Sequence, residues 1–122
     1  ALAVARWLQA RPEVQRVLYP ALEDDPGHAI WKRDFDGAAS LFGVVLHAVP
    51  RAKVAAFVNA LQLFGIGSSW GGYESLVTAP QPEKVRSATR WNPADPVIRL
   101  HIGLEDPADL IADLAQALTR LR

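Results

Sequence analysis

Residues 97–104, Val97-Ile98-Arg99-Leu100-His101-Ile102-Gly103-Leu104, alternate without a break. Ile98, Leu100, Ile102 and Leu104 fall on one side; Arg99, His101 and Gly103 fall on the other. A period of two sustained this long is the pattern of a strand with one face on a core. The second face carries a guanidinium at mid-strand, where a solvated Lys or Thr would be ordinary. The chain must therefore build a sheet with unlike faces and supply an apolar layer for one of them.

That layer is legible as three helices. Within residues 1–11, Val4, Trp7 and Leu8 form a stripe with Leu2 and Ala5 beside it, closed by Arg11-Pro12. Pro50 opens a second helix, with Val54, Phe57, Val58 and Leu61 at helical spacing and Gly65 as its expected stop. A third starts at Asp106-Pro107-Ala108-Asp109, with Asp106 at the cap and acid near the positive end of the helix. Its stripe is Leu110, Ile111, Leu114, Leu118 and Leu121.

The other strands are shorter. Ser40 to His47 is apolar on both parities and reads as a strand covered on both faces. Val17-Leu18-Tyr19 reads as an edge strand stopped by Pro20, and Glu74 to Thr78 as a further strand. Asp25 and Pro26 are expected to open a short helix through Asp34, with Ile30 and Trp31 inward; Asp36-Gly37 signals a turn. Residues 79–96, with four prolines and Trp91, read as a long surface loop, either a lid or a connector. The fold expected is a single α+β domain: three or four short, mainly antiparallel strands with helices packed on one face.

Composition excludes several functions. Acidic and basic residues balance at 13 each, so neither nucleic acid nor an anionic membrane is an expected partner. With no Cys there are no disulfides or thiolate metal sites, and His28, His47 and His101 lack ligand spacing. No apolar run approaches the ~20 residues of a membrane span. The chain lacks Met and begins inside a helical pattern, so a C-terminal piece of a longer protein is expected.

The chemistry concentrates in two places. Residues 64–76 hold four glycines around Ser68, Ser69 and Trp70. Such a loop either holds a small anionic or planar ligand or is a tight turn. The Arg99 fork suits a bidentate carboxylate or phosphate, or else a salt bridge to an acidic neighbour such as Glu74. His101 reads as a hydrogen-bonded structural histidine. Ser68 and Ser69 lack a His-Asp partner at recognisable spacing, so no nucleophilic triad is expected. Lys32, Lys53 and Lys84 lack the desolvated setting of an amine nucleophile. The face with Arg99 and His101 should be covered by another domain or subunit.

Ser69-Trp70-Gly71-Gly72-Tyr73-Glu74-Ser75-Leu76 and Ile98 to Asp106, with Arg16 to Pro20, Gly27-His28 and Trp31 to Phe35, strongly resemble the pyridoxal-phosphate enzymes of Cys and Met metabolism. The resemblance is to their C-terminal domain and covers essentially the whole chain. Trp70 in Ser-Trp-Gly-Gly is more like the β-lyase members than the γ-lyases or γ-synthases. The resemblance implies the small C-terminal domain of a fold-type I enzyme, a carbon–sulfur β-lyase of sulfur amino acids. Pyridoxal 5'-phosphate would be held mainly by a large domain absent here and by a neighbouring subunit of a cytoplasmic homotetramer. Arg99 would grip the substrate's α-carboxylate, and Ser69 and Trp70 would line that end of the pocket. Ser68 stands where β-lyases often carry Tyr and γ-enzymes Glu, which leaves the distal specificity open. The Schiff-base lysine would lie upstream, so no catalytic residue is expected in this chain and the chain alone should be inert. The alternative is a stand-alone amino-acid-binding or interface module.

Overall fold

A computed structural model describes all 122 residues. Five strands form one sheet: β1 (Val14–Leu18), β2 (Leu41–Leu46), β3 (Gly65–Ile66), β4 (Leu76–Thr78) and β5 (Val97–His101), in the order β1-β2-β5-β4-β3. Three of the four pairings are antiparallel; β3 and β4 run parallel. The sheet is one strand larger than the sequence suggests, because β3 is a two-residue strand too short to show a period.

The helices are α1 (Leu2–Gln9), α2 (His28–Asp34), α3 (Arg51–Ala60), α4 (Pro82–Val85) and α5 (Pro107–Leu118), with a last 3₁₀ turn over Thr119–Leu121. Three of them, α1, α3 and α5, pack on one face of the sheet. Val4, Ala5 and Leu8 of α1, Val54 and Phe57 of α3, and Leu110, Leu114 and Leu118 of α5 share one core with Phe42, Val44, Val77, Ile98 and Leu100. The alternation of β5 is thus cashed in as a helix-covered face, the arrangement the stripes predict. Asp106 caps α5 as expected, its side chain accepting from the Ala108 N–H at 2.7 Å, with Pro107 in the first turn.

Four local expectations need correction, each for a physical reason. First, Asp25 does not cap α2. Its carboxylate accepts from the Tyr19 and Gly27 N–H groups at 3.0 and 2.8 Å, and α2 begins later, at His28. Second, α2 buries no residue; Ile30 is 58% exposed, and Trp31 is turned so that its indole N–H donates to the Gly37 carbonyl at 3.1 Å.

Third, α3 stops at Ala60, short of Gly65, because Leu61 is extended and the next two N–H groups leave the helix for Asp113. Asp113 sits buried on α5 and accepts from Gln62 and Leu63 N–H at 3.0 and 2.8 Å and from the Gln116 amide at 3.0 Å. A carboxylate so supplied stays buried without a counter-ion. Fourth, β5 ends at His101, and Leu104 is 86% exposed rather than part of the core face. Its N–H is drawn to the Tyr73 carbonyl at 2.7 Å, which bends the chain toward α5.

Segment 79–96 contains α4 and is anchored rather than featureless. The Trp91 indole donates to the Asp95 carbonyl at 2.9 Å, and the guanidinium groups of Arg16 and Arg86 lie 5.5 and 5.2 Å from its ring centre. Both cations are within the range of favourable contact with an aromatic face.

Candidate functional site

The face of β5 opposite the helices carries Arg99, His101 and, just beyond the strand, Gly103. All three meet the loop that joins β3 to β4. Arg99 is paired in register with Gly43 on one side and Thr78 on the other. From there its Nη2 donates to the Ser68 and Ser69 carbonyls at 2.6 and 2.9 Å. Its Nε and Nη1 make no hydrogen bond within the chain.

The salt bridge to Glu74 does not form. The chain's salt bridges are Arg33–Asp34 and Arg122–Glu13, both remote from Arg99 in sequence. One nitrogen of the guanidinium, Nη2, is therefore held by two carbonyl dipoles, while the N–H groups of Nε and Nη1 keep no partner in the chain.

His101 is 1% exposed although it lies off the helix-covered face. Its Nε2 is 3.1 Å from the Gly72 carbonyl, while its Nδ1 is 3.0 Å from the Ser40 hydroxyl and 3.4 Å from the Gly71 N–H. This is the hydrogen-bonded structural histidine the sequence suggests. Gly71 holds φ of +81°, the chain's one positive φ, and a Cβ there would meet nothing within 4 Å. Gly71→Ala should therefore destabilise by about 1–2 kcal/mol through backbone strain alone. Gly72→Ala, with ordinary φ and open space, should stay within about 0.5 kcal/mol. Urea denaturation of the two variants side by side checks the contrast.

The far end of the loop is tied by residues the sequence reading did not single out. The Glu105 carboxylate accepts from the Ser75 N–H and from the Ser75 hydroxyl, both at 2.8 Å. The Ser75 oxygen in turn accepts from the Gly103 N–H at 2.9 Å, and Ser75 is fully buried. Parity was the available signal: Glu105 follows Arg99, His101 and Gly103 at steps of two.

Burial pushes the Glu105 carboxyl up, but the Ser75 N–H, its own N–H and the Ser75 hydroxyl outweigh it, so it lies below its ordinary value. A lowered folded-state pKa adds stability that is present above the unfolded value of about 4.3 and is lost as pH falls through the folded one. Glu105→Gln should thus be less stable than wild type at pH 7, with the gap closing below about pH 4. Urea midpoints across that range report it; a gap independent of pH would contradict the assignment.

The four residues expected at the site, Ser68, Ser69, Trp70 and Arg99, come together beside the middle of β5. Ser68 and Ser69 contribute their carbonyls to Arg99 and leave their hydroxyls without partners in the chain. Trp70 stands 67% exposed beside them. None of the chain's surface cavities is lined by these residues, so the site is an open wall rather than a closed pocket. No group of three or more His, Asp or Glu is placed to hold a metal ion. No helix is long and apolar enough to cross a membrane.

Residues 1–119 match the family described as Cys/Met metabolism PLP-dependent enzyme, and the chain belongs to that family of pyridoxal-phosphate enzymes. It is 54% identical over 121 residues to a cystathionine beta-lyase of Bordetella avium, an alignment covering 98% of this chain and 30% of that one. It is 40% identical over 123 residues to an L-alanine/L-glutamate racemase of Wolbachia pipientis wMel, covering 99% and 30%. Its fold matches a crystal structure of cystathionine gamma synthase from Xanthomonas oryzae pv. oryzae in complex with aminoacrylate and cysteine. That match has a TM-score of 0.82 and 33% identity, with 99% of this chain and 32% of the other covered. The chain thus spans about 30% of the length of the curated relatives it matches.

The family's cofactor needs an amine for its aldehyde and a cradle for its phosphate. Lys32, Lys53 and Lys84 lie on α2, α3 and α4, and none is bonded to the loop or to Arg99. The residues of this chain therefore do not fit the cofactor itself.

Proposed function

We propose that this chain is the C-terminal domain of a longer pyridoxal-phosphate-dependent carbon–sulfur lyase of the cystathionine β-lyase type, in which Arg99 holds the substrate's α-carboxylate. One observation carries the reading. Arg99 is held through Nη2 by two loop carbonyls, has no anionic partner, and leaves Nε and Nη1 without a partner in the chain. A guanidinium so placed is a ready seat for a planar anion, and a carboxylate is the anion every amino acid presents. The relatives support the same end of the molecule. A lyase of cystathionine and a racemase of alanine and glutamate differ in reaction but share an amino acid as substrate.

Within such an enzyme the bound cofactor supplies the electron sink. This domain supplies orientation: fixing the carboxylate fixes which bond of Cα faces the chemistry. Ser69 and Trp70 line the carboxylate end, and Ser68 faces the more distal part of the substrate. The cover comes from the large domain and a neighbouring subunit of a homotetramer. In support, Trp70, Tyr73 and Leu104 leave apolar surface open on the loop and just beyond β5, more than a lone domain usually shows.

The reaction assigned is cystathionine plus water to homocysteine, pyruvate and ammonia. The full-length enzyme tests it with L-cystathionine, reading thiol release and pyruvate together. Equal amounts of both are expected. Cysteine with a 2-oxo acid of four carbons, or racemisation of added L-alanine with no thiol released from cystathionine, would overturn the assignment.

A further inference from the structure

We infer that His101 is a positioning residue: with Ser40 it clasps the Gly71–Gly72 turn and so holds the Ser68 and Ser69 carbonyls against Arg99 with the outer donors of the arginine free. The inference rests on the reading of Arg99 as the carboxylate seat.

Both ring nitrogens of His101 are used, and the partners fix which does what. A carbonyl can only accept, so Nε2 carries the proton and donates to Gly72 O at 3.1 Å. Nδ1 is then the acceptor, facing the Gly71 N–H at 3.4 Å and the Ser40 hydroxyl at 3.0 Å. Ser40 is itself fixed, because its carbonyl accepts from the Ile102 N–H at 2.9 Å and the adjacent Leu41 pairs with His101 in register. The imidazole is thus a rigid bridge from β2, through β5, to the one residue of the loop with a positive φ.

The geometry gives the bridge its purpose. Arg99 and His101 stand two residues apart on the same face, and the loop residues they hold, Ser68-Ser69 and Gly71-Gly72, flank Trp70. If the second tie is removed, the carbonyls of the first are held by the arginine alone. The guanidinium and the loop can then move together, and the free donors of the arginine are no longer aimed. A buried histidine kept only for packing would not need a donor and an acceptor matched to one turn. An apolar side chain of similar size would fill the same space.

The test is a double-mutant cycle in the full-length enzyme, measuring KM and kcat for the amino-acid substrate. His101→Leu keeps volume and removes both bonds. It should raise KM about tenfold, the loss expected for two ordinary hydrogen bonds, with kcat changed far less. His101→Gln, which keeps a donor for the Gly72 carbonyl, should recover most of that loss. In an Arg99→Ala background His101→Leu should add nothing to KM. Ser40→Ala, a smaller change, should raise KM in the same direction and stands in if His101→Leu does not fold. Equal KM effects of His101→Leu with and without Arg99, or an unchanged KM in both His101→Leu and Ser40→Ala, would overturn the clasp alone. An Arg99→Ala enzyme with normal KM and kcat would overturn the carboxylate reading, and the clasp with it.

Discussion

Arg99→Ala in the full-length enzyme should lower kcat/KM by about 2–5 kcal/mol of transition-state binding, on the order of 30-fold to several-thousand-fold. The size follows from what the substitution leaves behind. A substrate carboxylate brought beneath a covering domain loses its water, and without the fork it keeps a desolvated charge with no partner. The loop loses its tie as well, since the Ser68 and Ser69 carbonyls accept from that same guanidinium at 2.6 and 2.9 Å. Arg99→Lys should fall between the two enzymes, because an ammonium restores the charge but not the planar pair of donors. Steady-state kinetics with the substrate, and with its carboxamide as comparison, give the answer. Wild type should strongly prefer the acid and Arg99→Ala should not. A kcat/KM within a few-fold of wild type would remove Arg99 from the site.

Gly103→Ala should be the most damaging small substitution in the chain. A Cβ at Gly103 would overlap the Tyr73 carbonyl oxygen, and would lie 2.7 Å from the Glu74 carbonyl carbon and 2.6 Å from a Glu105 oxygen. Two of those three atoms are backbone and cannot rotate away. The strand and the loop are also stitched on either side of the point, Gly103 N–H to the Ser75 hydroxyl at 2.9 Å and Leu104 N–H to the Tyr73 carbonyl at 2.7 Å. Relief requires breaking that stitch, so a loss of about 3 kcal/mol is expected, at the upper end of overpacking costs. Gly37→Ala is the control: nothing lies within 4 Å of its added methyl, and it should change stability by less than about 0.5 kcal/mol. Urea midpoints of the two variants decide it, and a Gly103→Ala chain as stable as Gly37→Ala would mean that the loop does not lie on β5.

The layers of this fold were legible because their signals are local and repetitive. The stripe Leu110, Leu114, Leu118 and the alternation Ile98, Leu100, Ile102 each point one way over several turns or pleats, and the core obeys them. What was not legible depends on single hydrogen bonds that follow no sequence period. Gly65 looked like the end of α3, but Asp113, some fifty residues away, takes the Gln62 and Leu63 N–H groups and ends the helix early. Asp25 looked like a cap, but Tyr19 claims it. Leu104 continued the alternation on paper, yet the Tyr73 carbonyl bends it out to solvent.

The site shows the same division. Arg99 stood out because a charge at mid-strand breaks the composition of its neighbours, and the serine–tryptophan loop stood out by its glycines. That they touch, and that Glu105, Ser75 and Ser40 complete the arrangement, comes from strand order. Placing β4 beside β5 puts the end of the loop directly over the polar face of the strand.

The most direct measurement is a crystal structure of the full-length enzyme with an unreactive amino-acid analogue bound. The account predicts the analogue's carboxylate against Arg99, an oxygen at about 2.7–2.9 Å from Nε or Nη1, with the Ser68 and Ser69 carbonyls still on Nη2. An analogue whose carboxylate is held elsewhere, with Arg99 paired instead to a protein carboxylate, would contradict it.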